Sequence, residues 1–369
     1  MWGSKCGIVF VILATSGSLA AGRDALVAAE LLNQAGLKSV WQVQLPINAG
    51  EKLENLYVFE GYLYAMTSRN FFFCIDRSTG SVRSMMQMAT PGLPIRPPIH
   101  FENKSVFLIG QELKFFNPVT GVIERVVRLK QLSGNYGGIA RNSKNVYVCG
   151  ADSRLYVFNA EKGVMTFMAS ADNDSVIYSV IASDTTAWFG TRAGNIIAMR
   201  ADSAERIWQY NLTGSMVVPP AMDGEFIYAA GLDTKMVKIR SDDGQEAWKK
   251  PFFVGDKVEK PLTIGKTCVY VYAAGSGLYA VNKDSGIAAW NLPKGYAVLA
   301  ENQSLAYVYV KPGVLMVMDN ALGKEQVSIN IAAISLFACN MTDSSLYLAN
   351  SEGQIQAAAI KGSESVSVK

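Results

Sequence analysis

The sequence predicts an all-β fold: an eight-bladed β-propeller of four-stranded antiparallel blades, its ring closed by an N-terminal strand. Three observations predict it. First, one phrase recurs along the 369 residues: an apolar run, a polar step ending in a small residue, then often tryptophan. The closing residue of the step falls at Gly80, Gly121, Gly163, Ala204, Gly244, Gly286 and Gly323, at spacings of 41, 42, 41, 40, 42 and 37. Such a period over most of a chain marks a repeat architecture. Second, each repeat carries short β-branched and aromatic runs parted by Gly, Asn and Asp, which is strand chemistry. Third, three further strands follow the seventh step, and one lone strand precedes the first.

In chain order, residues 1–22 (MWGSKCGIVFVILATSGSLAAG) read as a secretory signal: one lysine, an apolar stretch, then small residues. The apolar stretch is short for a membrane span. Residues 23–37 read as a short amphipathic helix and linker. The propeller is expected over 38–361, with 362–369 as a frayed tail. Within a repeat, strands A and B precede the phrase, which is strand C, the C–D turn and strand D. In KDSG (283–286), Gly286 suits the positive φ of a hairpin loop built on a type I turn.

Trp208, Trp248 and Trp290 share one register in strand D, and Trp41 lies in the lone strand KSVWQVQLP (38–46). Recurrence in register points to a structural role: rings filling the gap between neighbouring blades while each N–H finds a partner. Phe167 takes the place once; Ser84, Arg125 and Val327 take it elsewhere. The strands ISLFACNM (334–341), SSLYLAN (344–350) and QIQAAAI (354–360) lack a fourth partner. Donation of the lone strand to them closes the ring and removes two open edges.

Without Lys5, the 34 basic residues fall to 33 against 31 acidic, and no basic run occurs. Nucleic acid is therefore a poor partner. Cys74, Cys149, Cys268 and Cys339 lie in separate strands and are expected to be free thiols. No metal-ligand spacing is present, no catalytic residue stands out, and His100 is the single histidine. Aligned strand A segments place Arg96, Gly137, Tyr178, Val218 and Lys260 at one register. Arg96 and Lys260 are then expected to face each other across the channel mouth, with Tyr136, Tyr178 and Tyr296 nearby, as an axial pocket for an anionic ligand.

The phrase GSGLYAVNKDSGIAAWNL (275–292) resembles the PQQ-like propeller repeat, through Leu278, Tyr279, Ala280, Asn282, Gly286 and Trp290. Asp76, Asn117, Asn159 and Asp319 hold the acid or amide place of Asn282. The resemblance covers roughly 38–360 and implies the fold more than the function. One branch of the superfamily, the quinoprotein dehydrogenases, implies pyrroloquinoline quinone and calcium. This chain lacks the vicinal cysteine pair of those enzymes, and its best acidic cluster is Asp172, Asn173 and Asp174. No cofactor is expected. The other branch, BamB-like scaffolds, implies a non-enzymatic, exported, periplasmic protein whose partners are proteins, with outer-membrane assembly components as the implied ones. A monomer is expected. No cysteine follows the signal, and Cys6 is too early for acylation, so no lipid anchor is expected.

Overall fold

The computed structural model describes residues 25–132, 135–302 and 304–361, and only the backbone of Asn135 and Tyr136. The expected signal, Cys6 and the tail lie outside the described residues. Eight four-stranded sheets, antiparallel throughout, form the blades. Blades 1 to 7 span 53–87, 99–128, 135–170, 177–211, 221–253, 263–292 and 295–330. Blade 8 is composite: strands Leu336–Ala338, Ser345–Ala349 and Gln354–Ile360 are joined by Leu37–Gln44, in the order predicted for ring closure. Leu37 pairs with Ile360 and Gln44 with Gln354.

The sheets pack face to face, so the core lies between blades. One cluster joins Tyr147, Cys149 and Val157 of blade 3 to Val180, Phe189 and Ile197 of blade 4. Another joins blades 8 and 1 through Trp41, Tyr347 and Ile355 against Leu63, Phe73 and Ile75. Alternation along strands B and C buries both faces, which is why these runs are apolar almost without interruption.

The C–D turns explain the acid or amide of the repeat. Asn282 Oδ1 accepts from the N–H groups of Asp284 (3.0 Å) and Ser285 (2.9 Å), and Gly286 N–H donates to the Asn282 carbonyl (3.0 Å). Asp76, Asn117, Asn159 and Asp319 make the same pair of bonds two and three residues on. A short side-chain acceptor mimics a turn carbonyl there. Gly286 takes a φ of 69°, where a side chain is strained.

The turns of blades 1, 5 and 6 each receive an indole from the blade before. The indole N–H of Trp41 donates to Arg77 O (2.7 Å), Trp208 to Ser241 O (3.2 Å) and Trp248 to Lys283 O (2.8 Å). In blade 7 a side chain substitutes for the carbonyl: Trp290 donates to Asn320 Oδ1 at 2.8 Å. Trp41, Trp208 and Trp290 stand opposite Ala357, Ala198 and Ala280 of strand C. The small partner leaves room for the indole to lean outward. A bulge sits beside each of these pairs, and beside Cys74–Ser84, Phe115–Arg125, Val157–Phe167 and Val317–Val327. One extra residue re-aims the side chain and adds twist. The sequence reading missed these bulges, because the spacing between turn glycine and tryptophan conceals which residue is unpaired.

Two strand expectations are corrected. Trp248 is not in strand D: it lies in a bend, and strand D of blade 5 is only Phe252–Phe253. Pro251, which has no N–H to give, follows Lys249 and Lys250 and interrupts the ladder. Likewise Arg96, Val218 and Lys260 precede their strands, which begin at Ile99, Ala221 and Thr263. Pro97, Pro98, Pro219, Pro220 and Pro261 intervene, and each removes a ladder donor. Gly137 and Tyr178 do lie within strands.

The helix at the N-terminal side is Ala29–Gln34, shorter than the expected stretch. With Leu26 and Val27 before it, Leu32 packs on Leu37, Leu299, Tyr307 and Ile360, over the seam of blades 7 and 8. Buried Gln356 fastens the segment, accepting from Val27 N (2.9 Å) and donating to Val27 O (3.2 Å). Blade 8 has no C–D turn of its own, and this segment fills the place one would take.

Candidate functional site

Strand A starts, the B–C turns and the D–A connections lie on one face of an antiparallel propeller. On that face, between blades 6 and 7, Lys260 and Lys311 both approach the ring of Tyr296. Their ammonium nitrogens stand 2.9 and 3.7 Å from its centroid. Lys260 is also 4.8 Å from the Tyr272 ring centroid. Hydrogen bonding from Lys260 holds the Tyr296 phenol below its usual range against the opposing effect of burial, and the charges of Lys260 and Lys311 add to this. Tyr272, Tyr296, Tyr309 and Phe337 continue as a row of half-buried rings, with centroids 5.2, 6.1 and 5.2 Å apart. An open cavity of about 320 Å³ is lined by Tyr272, Pro293, Lys294, Tyr296, Lys311 and Pro312 among others.

Of the five expected pocket residues, the structure brings Lys260 and Tyr296 together. Arg96 is exposed, and its charge acts on Tyr57 of the preceding blade, opposing the rise that burial gives that phenol. Tyr178 is half-buried in strand Ile177–Ala182 of blade 4. The side chain of Tyr136 is outside the described set. The sequence reading missed Lys311 and Tyr272. The signal was topological: strand B ends beside the start of strand A, as Gly295 pairing with Val310 shows.

Toward the opposite face, by the A–B and C–D turns of the same two blades, runs a buried polar network. Glu301 is fully buried; it accepts from Tyr270 O–H (2.9 Å), Asn320 Nδ2 (2.9 Å) and the backbone N–H of Lys266. Asn320 Nδ2 also donates to Tyr270 Oη at 2.7 Å, and Asn320 Oδ1 receives Trp290. Burial first, then the Glu301 charge, pushes the Tyr270 phenol far up. Every oxygen of this carboxylate is engaged, so the network braces blades 6 and 7 and offers no free base.

The acidic cluster that a quinoprotein calcium site would use does not fit one. Asp172 faces Arg206, whose guanidinium nitrogens lie 2.8 and 3.2 Å from its two oxygens. Among the described residues, no three of His, Cys, Asp and Glu gather to hold a metal ion. His100 pairs with Glu60 at 2.8 Å on the rim. Cys74, Cys149 and Cys268 are buried free thiols; Cys339 is a free thiol reached by solvent.

The family model described as outer membrane protein assembly factor BamB matches residues 192–337, the stretch that holds the lysine–tyrosine cluster. The chain resembles the BamB kind of PQQ-like propeller. The crystal structure of BamB from Moraxella catarrhalis superimposes with a TM-score of 0.65 at 16% identity, covering 89% of this chain and 99% of that one. The computationally designed Ika8 protein gives 0.67 at 13% identity, over 86% of this chain and 98% of its own. At these identities the two structures speak for the propeller alone. No curated protein matches the sequence. The BamB-like region runs from blade 4 into blade 8, so it includes the blades whose indoles dock most regularly.

Proposed function

We propose that this chain is an exported, periplasmic, non-enzymatic scaffold that holds protein partners, and that it serves in the assembly of outer-membrane proteins. The match of residues 192–337 to the assembly-factor model carries the reading. The chemistry agrees with it. The fully engaged Glu301 carboxylate supports bracing rather than turnover, and Lys260, Lys311, Tyr272 and Tyr296 gather as one accessible cationic and aromatic cluster. In this reading the protein acts as a monomer without a resident cofactor.

The test is affinity capture of the tagged full chain from a native envelope after mild crosslinking. Enrichment of β-barrel assembly components is the expected result. Their absence overturns the assembly role. Reconstitution with pyrroloquinoline quinone and calcium, followed by dye-linked oxidation of alcohols and sugars, checks the other branch; quinone-dependent turnover overturns the non-enzymatic reading.

A further inference from the structure

Two ammonium groups converging on one phenol ring are a costly arrangement unless something anionic shares the site. Lys260 and Lys311 approach the Tyr296 ring to 2.9 and 3.7 Å, and neither makes an ion pair among the described residues. The acids of the same connection do not relieve them. Asp256 spends its carboxylate on the backbone N–H groups of Lys257 and Gly275, both at 2.7 Å. Glu259 is exposed and makes no ion pair among the described residues. Lys294 adds a third exposed cation on the wall of the cavity. The Tyr296 ring holds both lysines in the free protein, so part of the ordering cost of binding is already met.

We propose that the cavity between blades 6 and 7, which Lys311 lines and whose Tyr272 and Tyr296 walls Lys260 contacts, receives the carboxylate of an acidic side chain from a protein partner. This deepens the scaffold reading and rests on it. The walls choose the ligand class. Pro293 and Pro312 with the faces of Tyr272 and Tyr296 offer apolar surface, which suits the methylenes of a glutamate or aspartate stem. A fully hydrated inorganic phosphate has no use for such walls, and no arginine fork lines them. A volume of about 320 Å³ takes one or two side chains. The aromatic row through Tyr309 to Phe337 leads from the cavity across blade 7 to blade 8 and gives a bound segment further apolar contact.

The experiment is calorimetric titration of the full chain with a blocked peptide of alternating glutamate and glycine, its glutamine counterpart, and inorganic phosphate. The glutamate peptide should bind, weaken as salt rises, and lose about tenfold or more in the Lys260→Gln/Lys311→Gln double variant. Thermal melts of the variant should match the parent, since Lys311 is exposed and Lys260 half-exposed. Equal binding of the glutamine peptide overturns the proposal, as does unchanged affinity in a double variant that melts normally. Full displacement by phosphate at equal concentration overturns the carboxylate assignment. If the double variant still captures envelope partners while peptide binding fails, this inference falls and the scaffold reading stands.

Discussion

The indole of Trp41 lies against the backbone of Gly80. A Cβ placed on Gly80 would stand 2.6 Å from Trp41 Cδ2, and Gly80 already holds a φ of 76°. Trp41 belongs to the first strand of the propeller and Gly80 to the turn of blade 1, so this contact helps close the ring. Gly80→Ala should therefore destabilise the protein by about 2 kcal/mol or more, from left-handed backbone strain together with displacement of a packed ring. Gly92→Ala, at φ 86° with nothing within 4 Å of its Cβ, should cost only the backbone part. Urea unfolding of the two variants separates the contributions; equal losses would mean that the indole yields freely.

Arg77 gathers the rest of the closure. Its carbonyl accepts from Trp41; its guanidinium donates to Tyr347 Oη (2.9 Å), to Glu60 O and to Asp343 of blade 8. Arg77→Met should cost about 2 kcal/mol, because Tyr347 and Asp343 lose a charged donor in a half-buried setting. Trp41→Phe should cost about 1 kcal/mol from the lost hydrogen bond alone. The double variant should cost less than the sum, which a double-mutant cycle reads directly.

Glu301 is the buried charge of blades 6 and 7. Glu301→Gln keeps the shape but turns an N–H₂ toward either Lys266 N–H or the Tyr270 and Asn320 donors. A loss of about 1–3 kcal/mol is expected. Because Asn320 also receives the Trp290 indole, the emission of Trp290 should shift in the same variant, measured in a background where the other tryptophans are phenylalanine.

Asp76 gives an acid-sensitive term. Burial alone would raise its pKa, but hydrogen bonds from the Ser78 side chain, the Arg83 guanidinium and the Ser78 and Thr79 N–H groups outweigh it and hold the carboxyl at about 2, from 3.8. A carboxyl lowered on folding contributes stability above its unfolded pKa and loses it as pH falls through the folded one. Stability from Asp76 should be complete above about pH 4 and decline toward about pH 2. Asp76→Asn keeps the turn acceptor, as Asn282 does in blade 6, and should flatten the acid limb of urea midpoints in this window.

The thiols should differ in access. Burial pushes Cys74 and Cys149 up to about 12, and it raises Cys268 as well. Cys339 is raised to about 11 because protein surrounds it, against the pull of Lys260, yet solvent reaches it. Native alkylation with mass mapping should modify Cys339 first of these four. Earlier labelling of Cys74 would contradict the closed packing of blades 1 and 2 around it.

The sequence by itself determined the repeat, the eight blades and the donated strand. These are consequences of local chemistry: an acid or amide that folds a turn, a glycine that accepts positive φ, and alternating apolar runs. Each is written within a few residues, so a period exposes it. The sequence also marked the docking tryptophans, because they recur in register. It could not place Trp248 outside a strand or start three inner strands late, since a ladder's tolerance for Pro251, Pro98 or Pro261 depends on the partner strand. Nor could it choose neighbours among surface charges. Lys260 and Lys311 lie some fifty residues apart, and only the curvature of the closed ring brings both onto Tyr296. The axial register paired Lys260 with Arg96 across the mouth, whereas long flexible side chains settle on the nearest ring, and tertiary structure alone decides which ring that is.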